Sequence, residues 1–140
     1  MLNVPSLSHD QIKFLQSIVG EEFVSAKNAD LDQHSRDQSF HQAHLPAVVV
    51  WPSDTQQVSK VVKFANENLI PVTAWGAGTS IEGNPIPVCG GIVLDVSRMD
   101  KILKLYKEDF QVDVQPGIKY KDMNAVLSKQ GLFYAPDPGA

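Results

Sequence analysis

The fold is decided by one stretch, Pro71-Val72-Thr73-Ala74-Trp75-Gly76-Ala77-Gly78-Thr79-Ser80-Ile81-Glu82-Gly83. A short β-rich run ends at Trp75, and three glycines interleaved with two hydroxyl side chains follow within eight residues. Glycine lets the backbone turn tightly and expose successive N–H groups. The pattern therefore predicts a cradle of main-chain amides for a phosphate or pyrophosphate.

The spacing excludes two common nucleotide-binding motifs. A dinucleotide fingerprint requires a third glycine where Ile81 stands, followed by a helix, but glycine- and proline-rich sequence follows instead. A P-loop requires a lysine and a hydroxyl residue after its second glycine, and Asn84-Pro85 occupies those positions. The spacing leaves two interpretations open: a loop that holds an anion without a helix dipole or a lysine, and a purely structural glycine turn.

The residues around this loop predict an α/β fold with a small, mainly parallel sheet. Ala47–Trp51 is a β-branched run typical of a strand buried on both faces. The next segment is an amphipathic helix, capped by Ser53 and Gln56, and it leads to a strand at Ile70–Trp75. This right-handed βαβ unit places the loop at the carboxyl end of its second strand, where ligands of open α/β sheets bind. The remaining predicted elements are strands at Ile92–Val96, Met99–Leu105, Phe110–Val114 and Leu132–Tyr134, and a second crossover helix over Lys119–Gln130.

Residues 1–45 are expected to form an N-terminal helix and a polar arm. Ser8–Gln11 has the spacing of a capping box, and the helix it begins should stop at Gly20. The polar stretch Ser25–His44 holds no helical or strand period and predicts an ordered loop. His41 and His44 lack a third ligand at a recognised spacing, so we expect surface residues rather than a metal site.

Composition limits the class of protein. The chain has 140 residues, and 43% of them are hydrophobic, enough for one globular domain with a real core. A formal net charge of −4 disfavours a nucleic-acid surface. No apolar run approaches the about 18 residues of a membrane span, and no signal segment is recognised, so a cytoplasmic location is expected. A single cysteine, Cys89, excludes an internal disulfide and is expected to be a small buried residue.

Five motifs follow one another in order along the chain: Ala47–Ser53, Trp75–Gly83, Gly90–Met99, Val114–Gly117 and Pro136–Ala140. In this order they resemble the flavin-linked oxidases of the p-cresol methylhydroxylase and vanillyl-alcohol oxidase superfamily. Within it they are most similar to the cytochrome-linked D-lactate dehydrogenase and glycolate oxidase branch. The resemblance implies that residues 46–140 are the first subdomain of a FAD-binding domain of the p-cresol methylhydroxylase (PCMH) type, an α/β (α+β) fold with βαβ units and flanking helices.

The resemblance also implies a cofactor and its site. FAD would be held by Gly76, Ala77, Gly78, Thr79, Ser80, Ile81, Gly83, Pro138, Gly139 and Ala140. Amides of the loop would neutralise the pyrophosphate through charge-assisted hydrogen bonds. Gly83 would let the chain pass close to the cofactor, and the last three residues would approach the cofactor from the other side. Some relatives tether FAD through a histidine in this loop. Thr79 holds that position here and forms no such bond, so non-covalent FAD is expected.

The activity implied by the resemblance is hydride transfer from a D-2-hydroxy acid to FAD. D-lactate is the expected substrate, with glycolate or another hydroxy acid as the alternative and a quinone or cytochrome as electron acceptor. In relatives the catalytic histidines, arginine and metal belong to a substrate domain, and this chain contains none of them. We therefore expect no catalytic residue, no metal ligand and no activity from the chain alone, which looks like the front part of a longer protein.

Two further expectations concern partners and location. The full-length enzyme could lie at the periphery of the inner membrane instead of free in the cytoplasm. A different class of protein also fits the sequence, namely a non-catalytic domain that binds no flavin by itself and pairs with a second copy through an exposed sheet edge.

Overall fold

The computed structural model describes residues 6–136, which form two β-sheets and four α-helices. The helices are α1 (His9–Val19), α2 (Asn28–Gln33), α3 (Thr55–Glu67) and α4 (Tyr120–Leu127). The strands are β1 (Val24–Ser25), β2 (Val48–Val50), β3 (Val72–Trp75), β4 (Ile92–Asp95), β5 (Ile102–Tyr106) and β6 (Gln111–Val114). Short 3₁₀ turns lie at Glu21–Phe23, Lys107–Asp109 and Ser128–Gln130.

The larger sheet has the strand order β1-β2-β4-β3. Strands β2, β4 and β3 are parallel, and only β1 runs antiparallel to its neighbour. The expected α/β fold with a small, mainly parallel sheet is therefore confirmed. Strand β4 lies between β2 and β3, the two strands of the expected βαβ unit. All four residues of β4 are buried, which suits a central strand, whereas β3 is partly exposed, which suits an edge. Strands β5 and β6 form a separate antiparallel hairpin.

The core lies on both faces of this sheet. On one face, α1 and α3 pack their apolar sides against β2 and β4, and this cluster contains Leu15, Val19, Val24, Val48, Val50, Val61, Ala65, Ile92 and Leu94. On the other face, Val49 and Val93 pack with Trp75. Because β2 is buried on both faces, its three consecutive valines are typical of a central parallel strand.

The cap of α3 differs from the prediction by one residue. Asp54, not Ser53, is the N-cap, and its side chain accepts a hydrogen bond from the amide of Gln57 at 2.9 Å. The side chain of Gln57, not that of Gln56, returns a bond by accepting from the Ser53 amide at 2.8 Å. The ionised carboxylate is the stronger acceptor for an amide at the helix start.

Three other predictions were wrong. The polar stretch Ser25–His44 contains α2, a six-residue helix too short to display an apolar period. Leu132–Tyr134 is not a strand, because the side chain of Asn124 binds both the amide and the carbonyl of Tyr134, at 2.6 and 3.0 Å. Cys89 is exposed rather than buried. Within residues 6–136, no helix has the length and apolar character to cross a membrane.

Candidate cofactor site

The glycine loop emerges where β3 ends, at the carboxyl edge of the parallel strands. It borders a cavity of about 600 Å³ that opens beside the exposed edge of β3. The cavity is lined by Val72, Thr73, Ala74, Gly76, Ala77, Gly78, Thr79, Ser80, Asn84, Pro85, Ile86 and Val88. This is the edge of an open α/β sheet at which ligands bind.

The amides of the loop are available to a ligand. Within the part of the chain that the structure describes, the six amides from Gly76 to Ile81 donate to no other backbone or side-chain group. Gly76, Ala77 and Thr79 are exposed. A run of unpaired N–H groups at a concave surface is a binding site for an anion.

The loop glycines have two different structural roles. Gly78 has φ +67°, and a Cβ there would lie 2.4 Å from Cζ2 of Trp75. Gly83 has φ +79°, and its Cβ would lie 2.5 Å from Cδ2 of His41. Gly76 has no heavy atom within 4 Å of the Cβ position, so the space above it is open. That open space beside unpaired amides is what a bound phosphate needs.

The far end of the loop is held by hydrogen bonds to residues that follow α2. A carboxylate oxygen of Asp37 accepts from the amide of Gly83 at 2.8 Å, and the amide of Gln38 donates to the carbonyl of Ser80 at 2.9 Å. Inside the loop, the hydroxyl of Ser80 contacts the side chain of Asn84 and accepts from the amide of Glu82 at 3.1 Å. The loop is therefore anchored beyond its unpaired amides.

A buried ion pair supports the same edge of the sheet. Nε2 of His34 lies 2.9 Å from Oδ2 of Asp95, the last residue of β4. The indole N–H of Trp51 donates to the same carboxylate oxygen at 2.8 Å, and the amide of Ser97 donates to the other oxygen at 2.8 Å. The imidazole lies between Trp51 and Trp75, with ring centroids at 5.6 and 4.8 Å.

The partners of His34 indicate that both of its ring nitrogens carry protons. Nδ1 lies 2.7 Å from the carbonyl oxygen of Asp30, which only accepts, and Nε2 faces a carboxylate. Burial by itself lowers the pKa of His34, but the hydrogen bond to Asp95, the carbonyl of Asp30 and the nearby negative charge outweigh it and raise the pKa above 6.5. Burial likewise acts to raise the pKa of Asp95, and the bonds from His34 and Ser97 hold it below 3.8.

A second depression, of about 610 Å³, lies beside β1 and is less suited to an anion. Its lining includes the acidic residues Glu21, Glu22 and Asp30. Its arginine, Arg98, already donates to the carbonyl of Trp51 at 2.7 Å. The depression beside the glycine loop combines open space with unpaired amides and has no acidic residue in its lining, and its residues fit the pyrophosphate of FAD.

The structure brings most of the predicted site residues together. Gly76, Ala77, Gly78, Thr79 and Ser80 line one cavity. Ile81 is exposed in the same loop, Gly83 closes that loop, and Pro138, Gly139 and Ala140 lie outside the described residues. Within residues 6–136 no group of three or more His, Cys, Asp or Glu is arranged to hold a metal ion.

Sequence reasoning missed the residues that support the loop. The sequence held a signal that Asp37 binds the backbone, because an Asp side chain commonly accepts from the amide two residues later and so forms a local turn. Asp37 does accept from the amide of Ser39, at 2.9 Å. Asp95 had a signal too, because it is the one charged residue in the apolar run Ile92–Val96. A carboxylate in a strand buried on both faces needs partners.

Comparison with known proteins identifies the family. A family model described as FAD binding domain matches residues 46–140, which is more than half of the chain. The chain therefore belongs to this FAD-binding domain family, and FAD is its cofactor.

The most similar curated relatives include D-lactate dehydrogenases. The probable mitochondrial D-lactate dehydrogenase of Danio rerio is 36% identical over 129 residues, which cover 92% of this chain and 26% of that protein. The glycolate oxidase subunit GlcD of Bacillus subtilis is 31% identical over 134 residues, 96% of this chain and 28% of that one. The chain thus spans roughly a quarter of the length of these relatives.

A solved structure of p-cresol methylhydroxylase with substrate bound shares the fold. It is 26% identical, with a TM-score of 0.78 over 88% of this chain and 25% of that chain. The expected membership of the p-cresol methylhydroxylase and vanillyl-alcohol oxidase superfamily, in the D-lactate dehydrogenase and glycolate oxidase branch, is confirmed.

Proposed function

We propose that this chain is the FAD-binding segment of a flavin-dependent D-2-hydroxy-acid dehydrogenase that oxidises D-lactate to pyruvate. The observation that carries this proposal is the run of six unpaired amides, Gly76 to Ile81, beside an open cavity at the carboxyl edge of the sheet. The D-lactate dehydrogenases among the relatives support the choice of substrate.

The residues of this chain bind and orient the cofactor. Amides from Gly76 to Ile81 hold the pyrophosphate, and Gly83 lets the chain pass close to the cofactor. The FAD-binding site is completed by Pro138, Gly139 and Ala140. Thr79 offers no nucleophilic ring nitrogen, so the cofactor is held without a covalent bond. When bound, FAD supplies the acceptor for the hydride from the α-carbon of the hydroxy acid.

The division of the chain follows from the same proposal. Residues 46–140 are the N-terminal subdomain of the FAD-binding domain, the range that the family model matches. Residues 1–45 are the N-terminal helix and arm, and α1 and β1 contribute Leu15, Val19 and Val24 to the sheet's core. We place the enzyme in the cytoplasm or at the periphery of the inner membrane, with a quinone or cytochrome as electron acceptor.

Glycolate is the alternative substrate, supported by the similarity to the subunit GlcD of Bacillus subtilis. The groups that would select between the two acids lie outside this chain, in the substrate domain. For the same reason we propose that the chain alone has no dehydrogenase activity.

Titration of the purified chain with FAD, followed by flavin fluorescence and calorimetry, tests the cofactor site. We expect saturable, reversible binding that is lost in Gly78→Val, since a branched side chain there meets Trp75 and an unfavourable φ. Denaturation should release all the flavin, because no covalent bond holds it. Absence of binding by the folded wild-type chain would favour the alternative class, a non-catalytic domain that does not bind flavin by itself.

A further inference from the structure

The segment that follows α2 contains two buried ionisable side chains that the proposed binding of FAD does not use. His34 is 1% exposed and Asp37 is 8% exposed. His34 bonds to Asp95 at the end of β4, whereas Asp37 bonds to the glycine loop. The segment from His34 to Gln38 therefore joins the sheet to the loop.

The carboxylate of Asp37 is surrounded by donors from the chain. Oδ2 accepts from the amide of Gly83 at 2.8 Å. Oδ1 accepts from the amide of Ser39 at 2.9 Å and from its hydroxyl at 2.5 Å. Desolvation acts to raise the pKa of Asp37, but these bonds from Ser39 and Gly83 outweigh it and hold the pKa below 3.8. The group is an anion at neutral pH.

The glycine loop is held mainly at its two ends. Its first residue follows β3 directly, and its last residues are tied to Asp37 and Gln38. Between these ends the six amides from Gly76 to Ile81 bind no other group in residues 6–136. A segment whose amides make no hydrogen bonds samples more conformations, and ordering it when a ligand binds costs affinity.

We propose that Asp37 is a positioning residue of the FAD site: its carboxylate fixes Gly83 and so holds the amides of Gly76 to Ile81 in the arrangement that receives the pyrophosphate. This role rests on the proposed function. Asp37 does not itself contact the pyrophosphate, since two anions repel each other and both of its carboxylate oxygens already accept hydrogen bonds from the chain. It acts through the shape of the loop, which is formed before the cofactor arrives.

The chain without FAD provides the decisive measurement. Amide hydrogen exchange and ¹⁵N relaxation are recorded for residues 76–83 in the wild type, Asp37→Ala and Asp37→Asn. In Asp37→Ala we expect loss of protection at the Gly83 amide and increased motion of the amides of Gly76, Ala77 and Gly78. Asp37→Asn should be intermediate, because its single carbonyl oxygen replaces only one of the two carboxylate acceptors.

A matched control is Asp54→Ala. Asp54 also accepts an amide hydrogen bond, from Gln57 at 2.9 Å, but it caps α3 and lies outside the loop. This variant should lose stability yet keep the loop amides as ordered as in the wild type. A merely local role of Asp37 would give the same result as Asp54→Ala and would overturn the proposal.

FAD titration of the same proteins measures the consequence. The dissociation constant should rise about 10- to 100-fold in Asp37→Ala, the effect of losing a hydrogen bond to a charged group, and should not change in Asp54→Ala. If the wild type binds no FAD, the proposed function fails for this chain, and the relaxation data still decide the role of Asp37. If Asp37→Ala does not fold, the near-isosteric Asp37→Asn decides it, and wild-type loop order in that variant would overturn the proposal.

Discussion

Single residues of the glycine loop differ in what the fold itself requires of them. Gly78 combines a positive φ with close contact to Trp75, so the folded chain needs glycine there even without a ligand. Gly76 has open space at its Cβ position and no positive φ. We therefore expect glycine at position 76 to matter only when a cofactor fills that space.

The first prediction compares alanine at these two positions. Gly76→Ala should leave the free energy of unfolding within about 1 kcal/mol of the wild type, yet weaken FAD binding, because its methyl group occupies space meant for the ligand. Gly78→Ala should lower the free energy of unfolding by about 1–3 kcal/mol through backbone strain and contact with Trp75. Urea denaturation and FAD titration measure both effects. Unchanged FAD affinity in Gly76→Ala would contradict the placement of the pyrophosphate.

The buried pair of His34 and Asp95 gives stability a definite pH dependence. The folded-state pKa of His34 is raised, so its contribution is complete below 6.5 and is lost as the pH rises through the folded value. The folded-state pKa values of Asp37 and Asp95 are lowered, so their contributions are present above 3.8 and are lost as the pH falls through the folded values.

We therefore predict that the free energy of unfolding is highest between pH 3.8 and 6.5 and declines on both sides. Urea denaturation at a series of pH values measures this profile. The matched variant His34→Gln, which keeps a donor toward Asp95, should lose the decline above pH 6.5 and keep the decline in acid. A decline above pH 6.5 that persists in His34→Gln would show that another group causes it.

At the scale of elements, α1 is part of the sheet's core. Its capping box is formed as predicted, with the Ser8 hydroxyl accepting from the Gln11 amide at 3.2 Å and the Gln11 side chain accepting from the Ser8 amide at 2.9 Å. Leu15 is fully buried against β2, β4 and α3, and Phe14 stacks on Phe64 at the surface with ring centroids 4.6 Å apart.

A third prediction follows from this packing. Leu15→Ala should lower the free energy of unfolding by about 2–5 kcal/mol, because it leaves a cavity between α1 and the sheet. Phe14→Ala is the matched control on the same helix and should cost less, since Phe14 is 48% exposed. Chemical denaturation followed by far-UV circular dichroism compares them. Equal small losses in the two variants would mean that α1 adds little to the core.

For the whole molecule, several large apolar side chains are exposed to solvent. Leu103, Phe110 and Phe133 are 63%, 83% and 77% exposed, and β3 lies at one edge of the larger sheet. Exposed apolar surface and unpaired strand edges both favour association. We propose that the isolated chain pairs with a second copy.

The fourth prediction is a sedimentation-velocity mass that rises with protein concentration. The double variant Leu103→Lys, Phe133→Lys should shift the equilibrium toward the monomer, because it replaces two exposed apolar side chains with charged ones. Phe14→Lys, on a different exposed surface, is the control and should associate as the wild type does. A constant monomer mass at every concentration would exclude pairing.

The sequence by itself determined the features that depend on neighbouring residues. The capping box of α1, the buried strand at Val48–Val50, and the glycine loop after Trp75 are all encoded in short patterns, and the structure contains each of them. The order of the five motifs was enough to indicate the family, because motif order is also a property of the chain alone.

Only the tertiary structure decided which distant residues meet. In the sheet, β4 lies between β2 and β3. The packed chain brings His34 to Asp95, 61 positions apart, and Asp37 to Gly83, 46 positions apart. No local period encodes such pairs, since each polar group looks solvated until the partner that satisfies it is in place. The anchoring of the glycine loop therefore depends on how the whole chain packs.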